Sequence, residues 1–132
     1  MRGNLLETMT EALGREGIEA SAKRLDAFTG KEGDVLRRLS TVIAAVYYDG
    51  SRDVTALVQA VCRRRSAADA MGACYDVSEA LDGAWLPGLK GMEQTDGISI
   101  EVMPQEFNLD EAGFYAWACT LGVPATIESE DF

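Results

Sequence analysis

Leu5, Leu6, Met9, Ala12 and Leu13 recur at helical spacing. Asn4 is placed to cap this segment with Glu7 three residues on, and Gly14 and Gly17 are expected to stop it. Residues 18–40 keep no sustained period, and Gly30 to Asp34 reads as an exposed turn between weak segments. From Thr41 to Tyr48 the run TVIAAVYY is rich in β-branched and aromatic residues. It closes on Asp49-Gly50, a dipeptide that reaches positive φ cheaply at a hairpin turn. The run from Asp53 to Arg64 alternates as its antiparallel partner, which predicts a hairpin over about 41–64. Ser66 caps a second helix, with Asp69 completing the box. Ala67, Ala70, Met71, Cys74, Val77 and Leu81 form its apolar stripe, and Asp82-Gly83 ends it. Residues 84–97 read as a glycine-rich loop, and Ile98–Met103 as a strand that Pro104 ends. Asp110–Gly113 reads as a turn and FYAWACTLGV as the last strand, before a loose acidic tail over 128–132. The pattern as a whole predicts one α+β domain spanning 1–132. It is a small, mostly antiparallel sheet with the N-terminal helix and one central helix packed on one face.

Composition narrows the chemistry. With 132 residues, 47% apolar and 26% charged, the chain has the make-up of a folded domain. It contains no histidine, which removes the usual general base near neutral pH and the commonest metal ligand. Cys62, Cys74 and Cys119 are odd in number and widely spaced, so reduced, buried thiols are expected rather than a zinc knuckle or a disulfide framework. The start is polar and acid-containing, and no apolar run approaches the ~18 residues of a membrane span. A cytoplasmic setting with no membrane partner is therefore expected.

The formal charge of −10 is unevenly placed. Residues 1–66 carry eleven Lys/Arg against nine Asp/Glu, whereas residues 67–132 carry only Lys90 against thirteen acids. Such a subunit is electrically bipolar if its halves separate in space, with a basic patch suited to an acidic partner.

The candidate reactive groups dissolve on inspection. Asp110 and Glu111 are neighbours in a glycine-ended turn, and neighbours on a chain diverge. Asp49 to Asp53 lacks the ligand spacing of a calcium loop. Arg63, Arg64 and Arg65 cluster at a strand end with neither a phosphate-binding glycine loop nor a stacking platform. A contact to an acidic neighbouring subunit suits them better. No catalytic, cofactor or metal residue is assigned, and no enzyme is expected. Subunit or partner contacts are assigned instead to Tyr48, Asp49, Arg52, Arg63, Arg64, Arg65, Trp85 and Phe107.

Three segments in this order carry a family resemblance: YYDGSRD (Tyr47–Asp53) leading into VTALVQAVCRRRS, the helix end EALDG (Glu79–Gly83), and FNLDEAGFY (Phe107–Tyr115). Spanning about residues 41–121, they resemble the tail terminator and minor capsid proteins of long-tailed bacteriophages. The arginines at 63–65 and a final strand containing Pro124 depart from that pattern. The resemblance implies a virion protein of the neck, assembled in the host cytoplasm as a ring, usually of six subunits. Such a ring caps the tail tube, ends its polymerisation and meets the head completion proteins, while DNA passes through without specific binding. On this reading Glu101, Glu106, Asp110 and Glu111 are expected to line an acidic lumen that repels phosphates. Two other readings stay open: a different neck component, such as a head-closure or connector-adaptor protein, and an acidic cytoplasmic module that binds a basic partner.

Overall fold

Helix α1 (Leu5–Arg15) begins where Asn4 accepts a hydrogen bond from the Glu7 amide at 2.8 Å. It buries Leu5, Thr8, Met9 and Leu13. The helix runs through Gly14. Gly17 ends it, with φ of +80° and its amide bonded to the Gly14 carbonyl while the Ile18 amide reaches the Leu13 carbonyl, a Schellman closure. The computed structural model describes residues 4–22, 32–89, 91–109 and 113–127. The expected Asp110–Gly113 turn and loose tail fall largely or wholly outside these residues.

Strand β1 (Gly33–Val46) and β2 (Arg52–Arg64) form the expected antiparallel hairpin. Gly50 adopts φ of +86° at its turn, and the Tyr47 amide donates to the Ser51 carbonyl. The first strand starts eight residues before the predicted hairpin, inside the segment read as a turn between weak elements. Register shifts between Arg38 and Thr41 and between Ile43 and Ala45 explain the difference, because each bulge breaks the two-residue alternation that marks a strand.

Helix α2 (Ala67–Leu81) is capped by Ser66, whose hydroxyl accepts from the Asp69 amide. Ala70, Cys74, Val77, Ser78 and Leu81 are buried. Ala67 and Met71, placed on the apolar stripe by spacing, face outward, and the small Ser78 takes the inward position instead. Its hydroxyl is satisfied by the Tyr75 carbonyl one turn back.

The loop after α2 holds one short strand, β3 (Glu93–Gln94), against the last strand. Gln94 organises this loop. Its side-chain oxygen accepts from the Leu86 amide at 2.7 Å, and its amide nitrogen donates to the carbonyls of Ala84 and Asp96, each at 2.8 Å. Gln94→Ala is expected to cost about 1–3 kcal/mol, seen as a lowered urea midpoint, because these groups lose their partners at once. Gln94→Glu, which sets a carboxylate oxygen against the Ala84 and Asp96 carbonyls, should cost at least as much as Gln94→Ala at neutral pH.

Strand β4 (Ser99–Leu109) continues past Pro104, contrary to the expectation that this proline ends it. The proline lies in a register shift between Val102 and Gln105, where the ladder does not need its missing N–H. Strand β5 (Tyr115–Ile127) pairs along its whole length with β2 on one side, and with β4 and β3 on the other. The order is therefore β1-β2-β5, with β4 and β3 sharing the far side of β5, and all the strand pairings are antiparallel.

Both helices pack on one sheet face. Leu5, Met9 and Leu13 of α1 and Cys74, Val77 and Leu81 of α2 meet Ala56, Val58, Ala60 and Cys62 of β2 and Cys119, Leu121 and Val123 of β5. The α+β architecture read from the pattern is the one observed. Among the described residues the opposite face carries no helix, and a small cluster of Val61, Ala116 and Ala118 packs there under Phe107.

Candidate functional site

The sequence-assigned residues separate into structural and outward-facing groups. Among the three arginines, Arg63 is buried, and Arg64 binds Asp34 through both guanidinium nitrogens at 2.9 and 3.2 Å. Arg64 also donates to the carbonyls of Gly33 and Arg63, tying the start of β1 to the end of β2. Arg65 lies over the Phe114 ring, 4.7 Å from its centroid. The three side chains thus diverge, and the pair they were expected to make with a neighbour is matched inside the chain, at Arg64, by Asp34. An open groove of about 450 Å³ runs beside this pair, lined by Ile18, Glu19, Glu32, Asp34, Arg64 and Asp76 among others.

The hairpin tip is held by carboxylates. Asp49 accepts from the Ser51 amide at 2.9 Å and from its hydroxyl at 2.6 Å, and these bonds lower its pKa. Asp53 accepts from the Tyr47 hydroxyl and, at 2.7 Å, from Thr126, which lowers its pKa and raises that of Tyr47. For a carboxylate whose folded pKa lies below the ordinary 3.8, the stabilisation is present above that value. It is lost as the pH falls through the lowered one. Amide signals of Gly50 and Ser51 in a nuclear magnetic resonance titration are therefore expected to hold steady from pH 7 to about 4 and move below it. Movement centred at pH 5 or higher would contradict this geometry.

Beyond that brace the arm is bare. Tyr48 projects fully into solvent, and Leu39, Val42, Ile43 and Val46 of β1 are all exposed, Val46 by 60%. The cross-strand pairs put Ile43 beside Val54 on the helix side and Val42 beside Thr55 on the other, so the arm is apolar on both faces. Arg37 and Arg38, also exposed, precede this stretch. The sequence assignment missed all of these but Tyr48. A signal was present: VIAAV (Val42–Val46) is apolar at consecutive positions, which a one-sided strand does not need.

On the opposite edge Glu101 and Glu106 of β4 are exposed, with Val102 and Met103 between them. Glu101 accepts from the Ser99 hydroxyl and lies across Gly122, where a Cβ would meet its Oε1 at 2.5 Å. Asp110 and Glu111 lie outside the described residues. Trp85 is exposed in the loop after α2, and Phe107 is half-buried on the sheet face opposite α1 and α2. Arg52 is half-buried opposite Val46.

The cysteines are free and buried, in the state expected of them. The thiols of Cys119 and Cys62, together with burial, push the Cys74 pKa far up, the bond from Cys74 lowers that of Cys119, and all three side chains belong to the core between helices and sheet. Among the described residues, no three candidate ligands converge on a metal position, and no helix is long and apolar enough to cross a membrane.

The described residues define an α+β domain of two helices packed on one face of a five-strand antiparallel sheet, with a projecting hairpin. A chain of the same fold occurs in a solved structure described as the virion of a native gene transfer agent particle. It is 15% identical with a TM-score of 0.60, and the match covers 94% of this chain and 96% of that one. No protein-family model and no curated protein matches the sequence.

Proposed function

We propose that the protein is a structural component of a phage-like virion that works by assembly and performs no catalysis. In the fuller form of this reading it forms a ring at the neck, caps the tail tube and ends its growth, and joins the tail to the head completion proteins. The observation that carries it is the near-complete, end-to-end correspondence with a chain of a virion particle, so that the whole domain and not a fragment is shared. The apolar hairpin and the opposed charges of the two sheet edges add to it, since a chain that works alone gains nothing from exposing such surface. Mechanistically, one face of a ring would bind the tube end while the other offers no copy of that contact, and growth stops for want of a template. Asp110 and Glu111, which follow β4 in the sequence, would keep the DNA path acidic and non-sticking.

The test is negative-stain imaging of purified protein with tail tubes from the same virus, alongside mass in solution. Particles confined to tube ends, or rings of about six subunits, are the expected result. Tubes that remain bare at every protein concentration would overturn the terminator role.

A further inference from the structure

The two outer edges of the sheet are matched to each other. Past Leu36, no strand among the described residues pairs with the outer side of β1, and none pairs with the outer side of β4. The free part of β1, Arg37–Val46, is ten residues long, and β4 has eleven, so the edges are of similar reach. Their charges are opposite. The free β1 segment holds Arg37 and Arg38 and no acid, whereas β4 holds Glu101 and Glu106 and no base. Each edge also presents exposed apolar side chains: Leu39, Val42, Ile43 and Val46 on one, Val102 and Met103 on the other.

Building on the ring reading, we infer that the β1 edge of one copy docks on the β4 edge of the next. The apolar side chains close on one another, and Arg37 and Arg38 face Glu101 and Glu106. The occupant is a second copy because both halves of the fit lie on one chain, at opposite ends of one sheet. A contact between two different patches leaves a free β1 edge at one end of any dimer and a free β4 edge at the other. It therefore propagates until it closes. Bulges interrupt both edges, so side chains carry the contact rather than one unbroken backbone ladder. The in-chain bonds of Arg37 to Gln59 and of Arg38 to Thr41 occupy one donor of each guanidinium and leave the others for the neighbour.

Opposite charges at two edges permit a mixing experiment. Chain R37E/R38E has two acidic edges and chain E101R/E106R has two basic ones. Each alone is expected to associate about a hundredfold more weakly than wild type, because like charges meet. Mixed in equal amounts, they should assemble again, in alternation, to within about tenfold of wild type. Sedimentation velocity reads the mass, and circular dichroism melting confirms that each variant is folded. All four side chains are exposed, so melting should barely move.

Two results would overturn the edge pairing: variants that associate as wild type does, or a mixture that stays as dissociated as its parts. Wild-type protein that stays monomeric at the highest soluble concentration would overturn it too. The virion reading is judged separately by tube-end decoration, so either can fail without the other.

Discussion

Arg64→Ala is expected to destabilise the fold by about 2–4 kcal/mol, measured as the fall in urea-unfolding free energy. The substitution leaves Asp34 buried opposite nothing and frees two carbonyls, at Gly33 and Arg63, that Arg64 now serves. The figure sits toward the lower part of the range for a broken buried pair because the Arg64 side chain keeps 24% exposure and water reaches it. The double variant D34A/R64A should recover part of the loss, since it leaves no uncompensated charge. An unchanged midpoint in R64A would mean that the start of β1 does not depend on this tie. The prediction also bears on assembly. Charge reversal at Arg64 would dismantle any oligomer by damaging the subunit, so Arg37 and Arg38 are the positions that separate contact from stability.

Phe114→Ala should cost more, about 3–5 kcal/mol, and lower the melting temperature by roughly 10 °C or more. Phe114 is among the largest fully buried side chains and stands between β5 and Gly113, whose φ of +86° sets the approach. Phe114→Leu keeps most of the apolar volume but loses the face that Arg65 covers, and a loss of about 1 kcal/mol is expected. If F114L is as damaging as F114A, ring shape rather than burial governs the site.

The helices and the hairpin turn were legible because their signals are local. Asn4 and Glu7, or Ser66 and Asp69, sit three apart and act within one turn, and Asp49-Gly50 needs nothing distant to reverse the chain. The early part of β1 was not legible, because Leu36 is buried by residues distant in the sequence, and the bulge after Arg38 moves the side chains from Thr41 to Ile43 to the other face until a second bulge before Ala45 moves them back. Pro104 was read as a stop by a rule for regular ladders, but here it lies where the ladder is already irregular. Met71 followed the helical period yet missed the core, because the inward row of α2 is Ala70, Cys74, Val77, Ser78 and Leu81. As for the site, spacing singled out an arginine cluster and a turn aspartate that prove to be engaged in-chain. The exposure of Ile43 depends on where the helical layer stops, and that of Val42 on its lying on the opposite face, neither of which a local pattern states.

Because β5 pairs with β2, β3 and β4, the middle of the sheet waits for the last described strand to be synthesised. Residues 115–127 meet 52–64 across some sixty residues of chain, so during translation the hairpin must persist with the inner side of β2 bare. That edge's backbone N–H and C=O groups have their partners in residues 115–127. Until β5 leaves the ribosome, the nascent subunit offers a sticky strand on both flanks of the same hairpin. Newly made chains crowded on one message are then exposed to mispairing before any correct assembly can begin.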